Sequence, residues 1–173
     1  MRRVLLLAMH GAPPNDFPPV ELAEFMRLHA MHEAGQLAGS ALERYRELEH
    51  RLRSWPRTAE NDPFHAASMA LGQALEKADG SPVVVAFNEF CAPDIEDGLG
   101  QAAQFEPEQV VVMTPMLTPG GEHAEREIPQ AVDVARKRFP AIRFDYAWPI
   151  PITTTAAFLA EHLRRTFGEG RPV

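Results

Sequence analysis

The chain alternates short unbroken apolar runs with longer stretches of helical periodicity. Residues 4–9 (VLLLAM), 83–87 (VVVAF) and 110–113 (VVVM) are continuous apolar runs stopped by turn-forming segments, and they read as buried strands. Residues 142–148 alternate and read as a fourth strand. Asp62-Pro63 opens a helix, Asp as N-cap and Pro at the first helical position, with Phe64, Ala67, Leu71, Leu75 and Ala78 on its inner face and Gly80 closing it. Residues 94–103 form a second helical stretch with Ile95, Leu99, Ala102 and Ala103 inward, weakened by Gly98 and Gly100. A third starts at Pro129, with Ala131, Val132, Ala135 and Phe139 inward. A last helix is expected after Thr153-Thr154-Thr155 as cap, with Leu159, Leu163 and Phe167 inward, and residues 168–173 are expected to fray.

Strands alternating with helices predict an α/β fold of three layers, a four-stranded parallel sheet flanked by helices. One order for such strands is 2-1-3-4, with right-handed crossovers. Ligands then sit beyond the carboxyl ends of the strands, where the winding reverses. The first crossover is too long for one helix, because Gly11 to Ser81 spans 71 residues. Two extra helices fit there. One covers about 20–33, with Leu22, Phe25, Met26 and His29 on a stripe; the other covers about 37–53, with Ala41, Tyr45, Leu48 and Leu52 inward and Glu47/Arg51 and Glu49/Arg53 pairs outward. Residues 1–173 thus read as a single domain, with residues 20–60 a helical insert that is either a lid or cleft wall, or a scaffold or dimer surface.

Composition narrows the class. At 173 residues, 45% hydrophobic and 24% charged, the chain can bury a core, which excludes wholesale disorder. No apolar run approaches the roughly 20 residues of a membrane helix, and the MRR head precedes too short an apolar stretch for a signal peptide. Cys91 is the single cysteine, which excludes an internal disulfide or a multi-Cys zinc site and makes a cytoplasmic location the default. A net charge of −7 with no basic run argues against nucleic acid and favours cations over polyanions as partners.

His10 follows the first strand, and His123 lies in the loop after the third; in the 2-1-3-4 order they reach one cleft from adjacent strands. Imidazole is the commonest protein ligand for first-row transition metals. Glu89, at the end of the second strand, and Glu125 and Glu127, beside His123, supply carboxylate oxygen. Two imidazoles and one to three carboxylates make a mixed divalent-cation site with an open position. If residues 119–127 are loop, Glu125 and Glu127 compete for that role; if 123–127 are helical, His123 and Glu127 share a face and Glu125 does not. His29, His32 and Glu33, at i, i+3 and i+4, admit a second metal site, although a half-buried His29 and a surface His32 explain the pattern as simply. His50 and His162 read as surface positions, His65 as an exposed residue behind its cap, and Cys91 as a small core residue. Pro119-Gly120-Gly121 lacks the spacing of a phosphate loop, and GxSxG is absent.

Three segments carry a resemblance. LLLAMHGAPP, VVVAFNEFCAPDI and VVVMTPMLTPGGEHAEREIP resemble, in this order, motifs of the class II chelatases, the group of ferrochelatase and the CbiX-type sirohydrochlorin cobaltochelatases. Glu127 occupies the position where CbiX proteins usually carry Asp, and His123-Ala124-Glu125 resembles the ferrochelatase His-x-Glu. The resemblance implies insertion of a divalent metal into a tetrapyrrole, as in cobalamin or siroheme synthesis, with a non-catalytic metal or tetrapyrrole carrier of the same fold as the alternative. It implies metal-handling roles for His10 and His123, and a carboxylate role for Glu89 or Glu125, with Glu127 a further possible ligand. Cobalt, iron or nickel would be substrate, with no permanently bound cofactor. Sirohydrochlorin is the first choice of macrocycle, and protoporphyrin the second, because the long first crossover is closer to ferrochelatase. Met116, Leu117 and Trp148 would pack the macrocycle faces. A chain holding one half of the two-half enzymes is expected to form a homodimer, with no nucleic-acid or membrane partner.

Overall fold

The computed structural model describes residues 2–168; the tail expected to fray, beyond Gly168, lies outside the described residues. The strands are β1 (Arg3–Met9), β2 (Val83–Phe87), β3 (Gln109–Met113) and β4 (Arg143–Tyr146). They form one parallel sheet in the order β2-β1-β3-β4, as the alternation predicts. The helices are α1 (Pro19–Glu33), α2 (Gly39–Arg53), α3 (Pro63–Asp79), α4 (Ile95–Ala103), α5 (Ile128–Arg138) and α6 (Ile152–Phe167).

The uninterrupted apolar sequence of β1 follows from its central place, where both faces are covered. On one face Val4, Leu6, Ala8, Val84, Ala86, Val110, Val112 and Phe144 pack against α4 and α5 through Ile95, Leu99, Val132 and Ala135. Gly98, a weakness by helix propensity, is required by this packing: a Cβ there would lie 2.5 Å from the Ala86 Cβ. On the other face Leu7, Met9, Val85 and Phe87 meet Leu75 of α3.

Helix α3 has the expected start and stop. Asp62 accepts the His65 N–H at 2.8 Å and Gly80 closes the helix at φ 80°. Its inner face differs from expectation. The small residues Ser68 and Gly72 are the buried ones, while Phe64, Ala67, Leu71 and Ala78 are exposed. A Cβ on Gly72 would lie 2.5 Å from Val85 Cγ2, so close backbone approach selects small residues over the larger apolar stripe. Helix α6 departs further. It starts at Ile152 without a side-chain cap, so the threonines form its first turn, and Thr155 is its one buried residue. Leu163 and Phe167, expected inward, are 56% and 69% exposed.

The insert is a helical hairpin with its own core of Phe17, Phe25, Leu28, Tyr45, Leu48 and Leu52. Leu28 replaces the expected Met26, which is exposed. Truncating Leu48 or Leu52 to Ala would cost about 2–5 kcal/mol each. Of the two expected ion pairs, Glu49–Arg53 forms at 3.5 Å, whereas Arg51 pairs with Glu21 of α1 and Glu47 with Arg44. The buried Arg57 guanidinium fastens the hairpin to the sheet, donating to the carbonyls of Ala12, Leu52 and Phe90 and pairing with Asp62.

Candidate metal centre

The hydrogen-bonded register of β1 and β2 continues past the strand ends. Asn88 N–H donates to Met9 O at 2.9 Å and Glu89 N–H to His10 O at 2.8 Å. His10 and Glu89 therefore leave the sheet side by side. Gly11 permits this: it sits at φ +104°, and a Cβ there would lie 1.9 Å from Glu89 O.

His123 arrives from β3 by a different device. Residues His123–Glu127 form one π-helical turn, closed by Ile128 N–H on His123 O, which runs directly into α5. The Tyr146 hydroxyl donates to Ala124 O at 2.9 Å and steadies this turn; burial pushes that phenol's pKa up to about 12. His123 and Glu127 share a face, as the helical alternative required, and His123 Nδ1 meets Glu127 Oε2 at 2.7 Å. Glu127 is held in turn by Asn88 Nδ2 at 3.4 Å. Glu125 faces away, accepting Gly120 N–H at 2.8 Å, and does not join the cluster.

Three donor residues converge. Ligand atoms of His10, Glu89 and His123 all lie within 4.8 Å of one another, and among the described residues no other group of three does so. His10 Nε2 is 3.6 Å and His123 Nε2 3.9 Å from Glu89 Oε2. Each imidazole has its Nδ1 engaged, His10 with Gly11 O at 3.0 Å and His123 with Glu127, so a neutral ring donating there presents its Nε2 lone pair to the common point. Glu127, a candidate ligand by sequence, thus lies behind His123 with its carboxylate on the far ring nitrogen. His10 is half exposed and leaves the group open on one side.

His29 approaches from α1, its Nε2 3.4 Å from Glu89 Oε1. Sequence reasoning placed it on a half-buried stripe, and its one signal was the i, i+3, i+4 spacing with His32 and Glu33. His32 does not ligate with it, but stacks on Tyr45 with ring centroids 4.6 Å apart. His29, Tyr45, Glu49, Arg53, Glu122 and Glu127 line a polar cleft of about 440 Å³ between the insert and the sheet edge. The residues expected to pack a macrocycle are divided between two surfaces. Met116 packs on the α4/α5 side and takes the Trp148 indole N–H on its carbonyl at 2.9 Å. Leu117 instead lines an apolar groove of about 490 Å³ with Leu71, Leu75, Ile150 and Phe158. Of the remaining histidines, His50 and His162 are exposed, whereas His65 is half-buried on the Phe87 ring, where desolvation lowers its pKa.

Comparison with known proteins finds similar chains. The family model CbiX matches residues 60–165, which hold β2 to β4 and both Glu89 and His123. The sirohydrochlorin cobaltochelatase of Priestia megaterium is 31% identical over 87 residues, 50% of this chain and 28% of that protein. The sirohydrochlorin chelatase SirB from Bacillus subtilis subspecies spizizenii, solved in complex with cobalt, superposes with a TM-score of 0.53 at 18% identity, covering 96% of this chain and 51% of that one. A protein from Marinobacter aquaeolei VT8, described as a CbiX protein of cobalamin (vitamin B12) biosynthesis, superposes with a TM-score of 0.51 at 14% identity, covering 95% of this chain and 99% of that one. The chain thus spans about a quarter of the first relative and about half of SirB. With the family model matching more than half of its length, the chain belongs to the CbiX family of class II chelatases.

Proposed function

We propose that this protein is a chelatase that inserts cobalt(II), with iron(II) as second choice, into sirohydrochlorin. One observation carries the reading: two imidazoles with free Nε2 atoms and a carboxylate converge at the carboxyl edge of the sheet, on a side open to solvent. Family membership supplies the reaction class, and the names of the Priestia megaterium and Bacillus subtilis relatives supply the substrate.

His10 and His123, neutral so that each keeps a lone pair, hold the incoming ion through Nε2. Glu89 completes the donor set and is the working carboxylate; what favours it over Glu125 is that Glu125 is committed to Gly120 N–H. Glu127 keeps the His123 ring oriented and its Nε2 basic. As metal enters the macrocycle, two pyrrole N–H protons must leave; Glu89 is the base for the first, and the second passes to water on the open side of the group. The carboxylates of the neighbouring cleft raise the local concentration of divalent cation. A second copy of the chain would supply the other wall of the macrocycle site. The exposed Phe158, Leu163 and Phe167 of α6 and the apolar groove beside them support a homodimer.

An anaerobic absorbance time course with catalytic protein, sirohydrochlorin and cobalt(II) tests the reading. Multiple turnovers above the uncatalysed rate, lost in His10→Ala and His123→Ala, are the expected outcome. A spectral shift on binding without turnover would make the protein a carrier. Turnover with protoporphyrin and iron(II) alone would move the substrate to the ferrochelatase type.

A further inference from the structure

We propose that His29 of the insert is a positioning residue of the metal centre: it holds Glu89 Oε1 so that Oε2 is aimed between His10 and His123. The inference rests on the chelatase reading of the His10–Glu89–His123 group and assigns the insert a part in that group.

The two oxygens of Glu89 are divided between two partners. Oε2 faces Nε2 of His10 and of His123, at 3.6 and 3.9 Å, and Oε1 faces Nε2 of His29 at 3.4 Å. His29 lies outside the group of three whose donor atoms mutually approach, so its reach ends at the carboxylate. With its proton on Nε2, the ring points a donor at Oε1 across this 3.4 Å contact. Without it the carboxylate turns freely about its last bond, and neither oxygen is committed to the metal side.

The ring of His29 is itself fixed. The Tyr45 hydroxyl lies 3.3 Å from His29 Nδ1 and 3.2 Å from Glu49 Oε1. Burial and the Glu49 carboxylate push the Tyr45 phenol well above its ordinary pKa, so the hydroxyl keeps its proton. With Nδ1 accepting from the Tyr45 hydroxyl, the ring carries its proton on Nε2, the atom turned to Glu89. Phe25 stacks on His29 one turn away, ring centroids 5.6 Å apart, and also on Tyr45 at 5.6 Å. Phe25 and Tyr45 belong to the hairpin core, so the orientation of Glu89 is tied to the packing of α1 on α2. The insert is therefore a wall of the centre rather than a separate scaffold.

The test uses the full chain and cobalt(II) as probe, following the d–d absorption band and the affinity by competition with a chelator. Cobalt(II) binding by the wild type, lost in His10→Ala and His123→Ala, establishes the centre; its absence would overturn the chelatase reading and this inference together. With the centre established, His29→Ala is expected to weaken binding about 10- to 100-fold and shift the band, with the number of coordinated imidazoles unchanged. His29→Gln, whose amide N–H reaches the position of Nε2, is expected to restore most of the affinity. Wild-type affinity and band in His29→Ala would overturn the inference while leaving the centre intact. Loss of one coordinated imidazole would overturn it by making His29 a ligand. Equal weakness of the Gln and Ala variants would overturn it by reducing His29 to a packing residue.

Discussion

At the scale of single residues, Gly11 decides how near the first and second donors can come. Its φ of +104° and the 1.9 Å approach of a notional Cβ to Glu89 O leave no side chain that fits. Gly11→Ala combines an unfavourable backbone region, about 1–3 kcal/mol, with a clash against main chain that cannot rotate away. We expect a lower melting temperature by several degrees, at roughly 2–4 °C per kcal/mol, together with weaker cobalt(II) binding. A variant that melts like the wild type would refute the close approach. Nothing in the MHGAPP segment distinguishes this Gly from an ordinary turn Gly, because the constraint comes from a chain segment nearly 80 residues away. His10 and His123, by contrast, were legible: each directly follows or closely trails an apolar run that could only be a buried strand.

At the scale of elements, the π-helical turn realises the helical alternative for residues 123–127. Pro129 marks the first turn of α5, as the sequence suggested, yet helical structure begins earlier, at His123. The five-residue turn aligns His123 with Glu127 and directs Glu125 back to Gly120. Glu127→Ala should therefore leave the three donors in place but loosen the His123 ring. We expect cobalt(II) affinity to fall about 10- to 100-fold, measured by chelator competition, while Glu125→Ala stays near the wild type. Equal losses in both would argue that the loop, not the Glu127 contact, matters. Strand and helix identities were legible because apolar runs and caps are local signals. The buried faces of α3 and α6 were not. Periodicity ranks positions by size and apolarity, whereas close packing on β2 selected Gly72, and Ser68 one turn before it is the other buried residue.

At the scale of the molecule, the same miss becomes informative. Phe158, Leu159, Leu163 and Phe167 remain exposed along α6, and Leu71, Leu75 and Leu117 border the groove beside it. Exposed apolar rows of this extent mark interaction surfaces. Light scattering after size-exclusion chromatography should give twice the 19.2 kDa chain mass, and Leu163→Glu with Phe167→Glu should return it to the monomer. A wild-type monomer at micromolar concentration would refute the homodimer. Whole-molecule features were the least legible part of the sequence, since an amphipathic helix reads alike whether its apolar face meets its own sheet or another chain.

The pairing of β1 with β2 across the insert also governs how the protein assembles itself. Leu5 pairs with Val83 and Met9 with Phe87, contacts separated by 78 residues of chain, so this edge of the sheet closes a long loop. Closing a loop of that length costs entropy, and chains rich in such contacts fold slowly. The α1–α2 hairpin, whose contacts are local, shortens the effective loop once formed. The His10–Glu89 juxtaposition forms only with that register, so a chain that has not found it has no assembled site with which to trap metal.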